Sequence, residues 1–439
     1  MDPFLVGIIS VVALLILLAL GVHIALALLA VGLIGNILIL GFEPSLWLAV
    51  TFGYSYLSKS AFIVLPLFIF MGLLAGSSGI SANLYDALKL WVGKVRAGLA
   101  ITTVFSCTAF GVCTGSSLVT SAVFTRICAP EMRRQGYSKN VAYGTCTAAG
   151  SIGMLIPPSI LLVVYGLISE ESVGKLLMAG IAPGVMLAIF FILGLLIMSK
   201  INPALFGTTP PIKATWRQRI ASIRLMWPIL FIGFVIIGSI FLGIASPTEA
   251  GALGTVAITI LALATTGNER WKILKKGMAE AVTINAMVFF LLIGAGVFAR
   301  LLMVSGVTHT LINLVIDAGL SNLQFVIVMA LIYLAMGCLM DSISMLSITL
   351  PLVIPIVHML NIPSMWFAMV SVLAIEVGLI TPPVGLNAYA AKGVAEPDVS
   401  LEDIFRACIP FLFMMLGALV VIIAFPWLSE ILPKIMLGD

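Results

Sequence analysis

Apolar runs long enough to cross a bilayer follow one another through almost the whole chain, and they leave no room for a soluble domain. About 20 apolar residues make one helical span. The runs fall near residues 4–20, 22–41, 61–79, 141–168, 176–199, 226–245, 248–265, 280–300, 366–391 and 408–428. That pattern predicts an all-α polytopic membrane protein with about ten spans. Composition agrees, since 62% of the 439 residues are hydrophobic and 9% charged, against roughly 45–50% and ~25% in soluble domains. Mean hydropathy is +1.23. The net charge of +4 comes from small loop clusters, which gives no support for a nucleic-acid partner. The six cysteines (Cys107, Cys113, Cys128, Cys146, Cys338, Cys408) lie in apolar segments without CxxC or Cys/His spacing. They read as packing residues, not as a disulfide framework or a zinc site. Asp2 stands where a signal peptide would carry a basic residue, so the first run is expected to remain as a span.

Two apolar stretches, 98–130 and 323–357, are too long for one span and lack the charged loop that two would need. Both are rich in Ser, Thr and Gly midway and are expected to be re-entrant hairpins. Irregular backbone at membrane depth is tolerated where protein or a water-filled cavity satisfies it, so such hairpins line sites. Lys89, Lys94, Arg96, Arg126, Arg133, Arg134 and Lys139 flank the first hairpin, while no Lys or Arg falls between 301 and 391. Basic loops favour the cytoplasm. The first hairpin is therefore expected to open to the cytoplasm and the second to the outside. The clusters Lys213/Arg217/Arg219/Arg224 and Arg270/Lys272/Lys275/Lys276 fit the cytoplasm, and both termini then lie outside.

The chain also repeats itself, three motifs of the first half recurring in order in the second at a nearly constant offset. GSIGMLIPPSILLVVYG (150–166) answers GLITPPVGLNAYA (378–390), CTGSSLVTSAVF (113–124) answers MDSISMLSITLP (340–351), and SSGIS (77–81) answers VSGVT (304–308). Two related halves with opposite charge bias mark an inverted-repeat transporter, whose sites lie at the midplane in broken helices. Pro157 and Pro158 carry no N–H, so a helix through them would free the carbonyls of Gly153 and Met154. Pro382 and Pro383 would free those of Gly378 and Leu379. Freed carbonyls with the hydroxyls of Ser116, Ser117, Ser342, Ser344 and Thr381 are the oxygens that sodium needs. Asp341, Glu376 and Glu249 are three carboxylates in apolar surroundings, where a charge costs on the order of 2.5–3.5 kcal/mol. Asp341 and Glu376 are candidates for proton or ion coupling. His23 reads as a structural residue between spans. Arg300 is a candidate contact for an anionic substrate, or a snorkelling side chain.

ASPTEAG (246–252), APEMRRQGY (129–137), GSIGMLIPPS (150–159) and GLITPPVGLN (378–387) occur in order over nearly the whole chain. Together they resemble the large membrane subunit of tripartite ATP-independent periplasmic (TRAP) transporters, in the ion-transporter superfamily. The resemblance implies a sodium-driven elevator in a bacterial inner membrane, taking a small organic anion, a carboxylate or sulfonate, from a periplasmic substrate-binding protein. It also implies a small four-helix membrane subunit as partner. Residues 1–97 and 200–322 would be scaffold, with horizontal arm helices near 80–96 and 305–321, while 98–199 and 323–439 would move. The first sodium site would use Thr114, Ser116, Gly153, Ile156 and Pro158. The second would use Asp341, Ser342, Gly378, Thr381 and Pro383. The substrate would bind between the hairpin tips, with Ser117, Ser344, Asn387 and Arg300 as candidates. Arg126 and Cys128 depart from the small apolar residues of the family pattern.

Three other functions compete. A binding-protein-independent sodium/carboxylate symporter would use nearly the same fold, but ASPTEAG argues against it. An intramembrane enzyme lacks raw material, since the chain has no HExxH and no GxSx helix paired with a histidine. A purely structural role sits badly with buried Asp341 and duplicated broken helices. No catalytic residue and no organic cofactor are expected.

Overall fold

Small polar residues at the ends of the apolar runs decide where helices start. Ser138, Ser172, Ser246, Ser321 and Ser400 each accept a hydrogen bond from a backbone N–H of the first turn that follows, satisfying a donor that the helix itself leaves unpaired. His23 caps a helix in the same way through Nδ1, the structural role expected of it. The structure is a computed structural model that describes residues 2–92, 95, 97–207 and 214–437. Lys94, Arg96 and Lys213 lie outside the described residues.

The first half holds α1 (Pro3–Ala19), α2 (Ile24–Leu40), α3 (Phe42–Ser58), α4 (Val64–Ser77) and the amphipathic α5 (Ile80–Val92). A hairpin follows, α6 (Gly98–Thr114) with α7 (Ser117–Arg134). Next comes an interrupted helix, α8 (Lys139–Gly150), α9 (Ile152–Leu155) and α10 (Ile160–Ser169), and then α11 (Val173–Ile201). The second half opens with α12 (Trp216–Gly233), which runs through a π-helical turn into α13 (Ser239–Phe241), followed by α14 (Pro247–Thr265), α15 (Arg270–Val304) and the amphipathic α16 (Val307–Asp317). Its hairpin is α17 (Asn322–Gly337) and α18 (Ser342–Met359), its interrupted helix α19 (Ser364–Gly378) and α20 (Leu386–Lys392), and α21 (Leu401–Ala424) and α22 (Trp427–Leu437) close the chain.

The repeat extends well past the three matched motifs. Helices α6, α7, α8, α10 and α11, starting at Gly98, Ser117, Lys139, Ile160 and Val173, recur in the same order and at nearly the same spacing as α17, α18, α19, α20 and α21, starting at Asn322, Ser342, Ser364, Leu386 and Leu401. Prolines inside these helices match too, Pro130 with Pro355 and Pro183 with Pro410. The halves differ where α3 and α4 are parted by a 3-10 turn at Ser60–Ile63, while the equivalent stretch runs unbroken through the 35 residues of α15.

Eight helical segments among the described residues are long and apolar enough to cross a membrane. Several expected spans are shorter. The run at 366–391 is cut because α19 ends at Gly378, and α1 and α2 have 17 residues each, about 26 Å at 1.5 Å per residue. The stretch 42–58, which is not among the expected spans, forms α3.

Side-chain hydrogen bonds between distant segments fall into two groups. One joins 1–97 to 200–322, through Asn36 to the Val297 carbonyl (3.1 Å), Thr255 to the Leu67 carbonyl (3.0 Å), Trp91 to Ser222 (3.1 Å) and Arg219 to the Leu90 carbonyl (3.1 Å). Here the backbone of α2 comes close to that of α15, since a Cβ on Gly32 would lie 2.8 Å from the Phe298 nitrogen. The other group joins 98–199 to 323–439 and includes Ser117, Ser151, Glu376 and Asn387. Lys89 on α5 and Glu131 on α7, 3.5 Å apart, cross between the groups. So does the loop contact from the Ser138 N–H to the Leu205 carbonyl (2.9 Å). A cavity of about 780 Å³ also lies between them locally, with residues 59–64 and 246–249 on one side and 166–174 on the other.

Candidate functional site

The tip of the first hairpin is built on glycine. Gly115 turns the chain at φ +58°, where a side chain would be strained. A Cβ there would also run into the Pro158 carbonyl. That close approach lets the Ile160 N–H donate to the Gly115 carbonyl at 3.2 Å, fastening the hairpin tip to the chain just after the first proline pair. One turn earlier, a Cβ on Gly111 would lie 2.7 Å from the Cα of Gly153, so α6 and the broken helix touch backbone to backbone. Thr114 and Thr120 share a hydroxyl hydrogen bond of 2.9 Å, and a Cβ on Gly153 would sit 2.9 Å from Thr120 Oγ1. Thr114, Ser116, Gly153, Ile156 and Pro158 thus belong to two segments held against each other.

The second half repeats this construction. A Cβ on Gly378 would lie 2.5 Å from the Cα of Gly337, and Gly337 and Gly378 are the repeat counterparts of Gly111 and Gly153. The Val384 N–H donates to the Cys338 carbonyl at 3.0 Å, tying the hairpin to the second proline pair. Asp341 caps α18, accepting from the Ser344 N–H at 3.0 Å and, on its other oxygen, from the Ser344 hydroxyl. Asp341 and Ser342 follow the segment that is held in this way against the one carrying Gly378, Thr381 and Pro383. The peptide bonds Pro157–Pro158 and Pro382–Pro383 are both cis.

Sequence reasoning misses Gly111, Gly337 and Thr120. The repeat could have found the glycines, since their offset is within one residue of that between Gly153 and Gly378. The carbonyl count needs a correction in the second half. The helix ends in a tight turn in which the Thr381 N–H donates to the Gly378 carbonyl at 2.9 Å, and the chain turns back after Pro383 so that the Asn387 N–H donates to the Leu379 carbonyl at 3.0 Å. These oxygens keep one lone pair each rather than standing free.

Of the three carboxylates read as buried, Glu376 alone is fully so. It accepts from the Ser117 hydroxyl at 3.0 Å and from the Asn387 amide at 3.4 Å, and the same amide nitrogen lies 3.3 Å from the Ser151 hydroxyl. Asp341 is half-buried. Glu249 is exposed, because it closes a capping box with Ser246 at the start of α14, which the S-x-x-E pattern signals. The substrate candidates do not converge. Ser117 and Asn387 meet on Glu376, Ser344 bonds Asp341, and Arg300 is exposed in a surface pocket with Pro44, Trp47 and Thr51. Arg126 is exposed and Cys128 buried on α7.

The same pair of segments carries a charged cluster at the end of α7. Arg133 forks onto both oxygens of Asp398 at 2.9 and 3.0 Å and also meets Glu396, while Lys139 bonds Asp398 at 3.1 Å. Arg133 and then Lys139 hold the Asp398 carboxyl down at about 2. A depressed carboxyl stabilises the fold above its ordinary value and loses that contribution as pH falls through the depressed one. Thermal unfolding in detergent from pH 4 to 2 should therefore fall more steeply for the unsubstituted protein than for Asp398→Asn. Equal slopes would refute this assignment.

The family model described as "Tripartite ATP-independent periplasmic transporter, DctM component" matches residues 11–428. The chain belongs to this TRAP family. It is similar to the C4-dicarboxylate TRAP transporter large permease protein of Pseudomonas aeruginosa, 32% identical over 92% of this chain and 94% of that one. It is also similar to the sialic acid TRAP transporter large permease protein of Vibrio cholerae, 26% identical over 86% and 87%. The solved YdaH transporter of Alcanivorax borkumensis has the same fold, with a TM-score of 0.65, 14% identity and 97% and 98% of the two chains covered. The chain is thus the large, multi-pass permease of a TRAP secondary transporter.

Proposed function

We propose that this TRAP permease carries a small organic anion inward across the bacterial inner membrane, driven by sodium bound at two mirrored sites. The observation that carries this reading is the doubled construction itself, a hairpin tip packed glycine on glycine against a proline-broken helix, at matching places in both halves. The first site would use Thr114, Ser116, Gly153, Ile156 and Pro158, and the second Asp341, Ser342, Gly378, Thr381 and Pro383. Hydroxyls, carbonyls and one carboxylate are the oxygen donors that a hard cation takes. Residues 98–199 and 323–439 would slide as an elevator against 1–97 and 200–322, a division supported by the two groups of long-range hydrogen bonds.

A carboxylate or sulfonate is the substrate class, supported by relatives named for C4-dicarboxylates and sialic acid. A periplasmic binding protein would deliver it on the outer face, and a small four-helix subunit would widen the scaffold. Both termini would lie in the periplasm.

Sodium that binds the folded state stabilises it by RT ln(1 + [L]/Kd), about 2.7 kcal/mol per site at 100 Kd. Thermal unfolding in sodium should exceed that in potassium or choline at equal ionic strength, and Gly153→Leu and Thr381→Ala should each reduce the difference. Absence of a shift in every salt would sink sodium coupling and favour proton coupling at Asp341 and Glu376.

A further inference from the structure

Positions 151 and 376 are equivalent in the repeat, each standing two places before its glycine, Gly153 or Gly378, and they meet. Ser151 and Glu376 share the side-chain amide of Asn387 where the first broken helix packs on the second. Ser117 reaches the same carboxylate from the first hairpin, and Asn387 reaches both Glu376 (3.4 Å) and Ser151 (3.3 Å) from α20. All four residues are completely buried. Among the described residues, no Lys, Arg or His forms an ion pair with Glu376. A buried carboxylate without a counter-ion is costly, so its donors Ser117 and Asn387 are the partners that hold it in place.

Three of the four residues stand beside a proposed sodium ligand. Ser117 follows Ser116, Ser151 precedes Gly153 by two places, and Glu376 precedes Gly378 by two. A shift of any of these segments must move the node, and the node is bonded to the others. We infer that the Ser117–Ser151–Glu376–Asn387 node links the two cation sites, so that sodium binds to them cooperatively. The first ion orders a hairpin tip and its broken helix, and the node passes that order to the second site, which then costs less to organise. Glu376 is a positioning residue in this scheme and touches neither ion. The inference rests on the two-site sodium reading.

The test is initial uptake by the reconstituted transporter, assembled with its small subunit and binding protein, against sodium concentration with choline as the balancing salt. Coupling of about 5- to 150-fold between two sites gives a Hill coefficient of about 1.4 to 1.8. In Ser117→Ala, which cuts the hairpin from the carboxylate and removes a single oxygen, the coefficient should fall toward 1. Ser117→Thr, which keeps the hydroxyl, should restore it, and Glu376→Ala should act as Ser117→Ala does if it folds. A loss of maximal rate at an unchanged coefficient in Ser117→Ala would mean a merely structural node and overturn the inference. So would a hyperbolic sodium curve in the unsubstituted protein. Uptake that ignores sodium altogether would instead bring down the sodium reading itself, an outcome distinct from both.

Discussion

Gly378→Ala should lower uptake by more than about tenfold, although it adds a single methyl group. The added Cβ would stand 2.5 Å from the Cα of Gly337, 2.7 Å from its carbonyl carbon and 2.9 Å from the Leu334 carbonyl oxygen. All three are backbone atoms of α17 and cannot rotate away. The helices must part, at a cost of about 1–3 kcal/mol for overpacking a close-fitted core, and the displacement falls on the residue proposed to ligate sodium. Gly111→Ala should do the same in the first half, where the added carbon would lie 2.7 Å from the Gly153 Cα. Gly53→Ala is the control, since its Cβ would meet nothing closer than Ile293 Cδ1 at 3.8 Å and alanine suits a helix better than glycine. Uptake in proteoliposomes, normalised to folded protein by size-exclusion chromatography, makes the comparison. Gly378→Ala at the rate of Gly53→Ala would remove the glycine contact from the mechanism.

Asp341 should separate helix capping from ion binding. Asparagine keeps an oxygen for the Ser344 N–H and loses the charge, whereas alanine loses both. Asp341→Asn should raise the sodium concentration for half-maximal uptake by about tenfold or more, equivalent to ~1.4 kcal/mol of binding energy, with its unfolding temperature in sodium-free buffer nearly unchanged. Asp341→Ala should add a loss of about 1 kcal/mol of stability for the missing cap. An Asp341→Asn transporter with the unsubstituted sodium dependence would exclude the carboxylate from the second site.

What the sequence discloses follows from how each feature is encoded. Both hairpins and both broken helices are legible because Ser/Thr/Gly breaks and proline pairs interrupt otherwise apolar runs, and the repeat doubles each signal. Glycine contacts are not, because among 40 glycines a residue that lets two backbones touch looks like any other until its partner is known. The carbonyls of Gly378 and Leu379 escape the proline count because counting back assumes the chain continues as a helix, whereas it turns and supplies two N–H groups. Glu249 misleads because an acidic residue in an apolar stretch suggests burial, while its spacing from Ser246 spells a cap. That Glu376 faces Ser151 is beyond reach of the sequence, since it depends on how the halves dock.

The meeting of Ser151 and Glu376 also bears on how such a protein can arise. Two identical copies of the half, docked in the same way, would bring each residue at this point against its own duplicate. Serine facing serine would leave the junction without a carboxylate, and glutamate facing glutamate would force two like charges together with no water to screen them. Only when the two halves are separate copies in sequence can the two positions mutate independently, one keeping the acid and the other carrying a hydroxyl that shares its amide partner. Divergence of the two halves therefore permits a departure from symmetry that no homodimer of the half could encode.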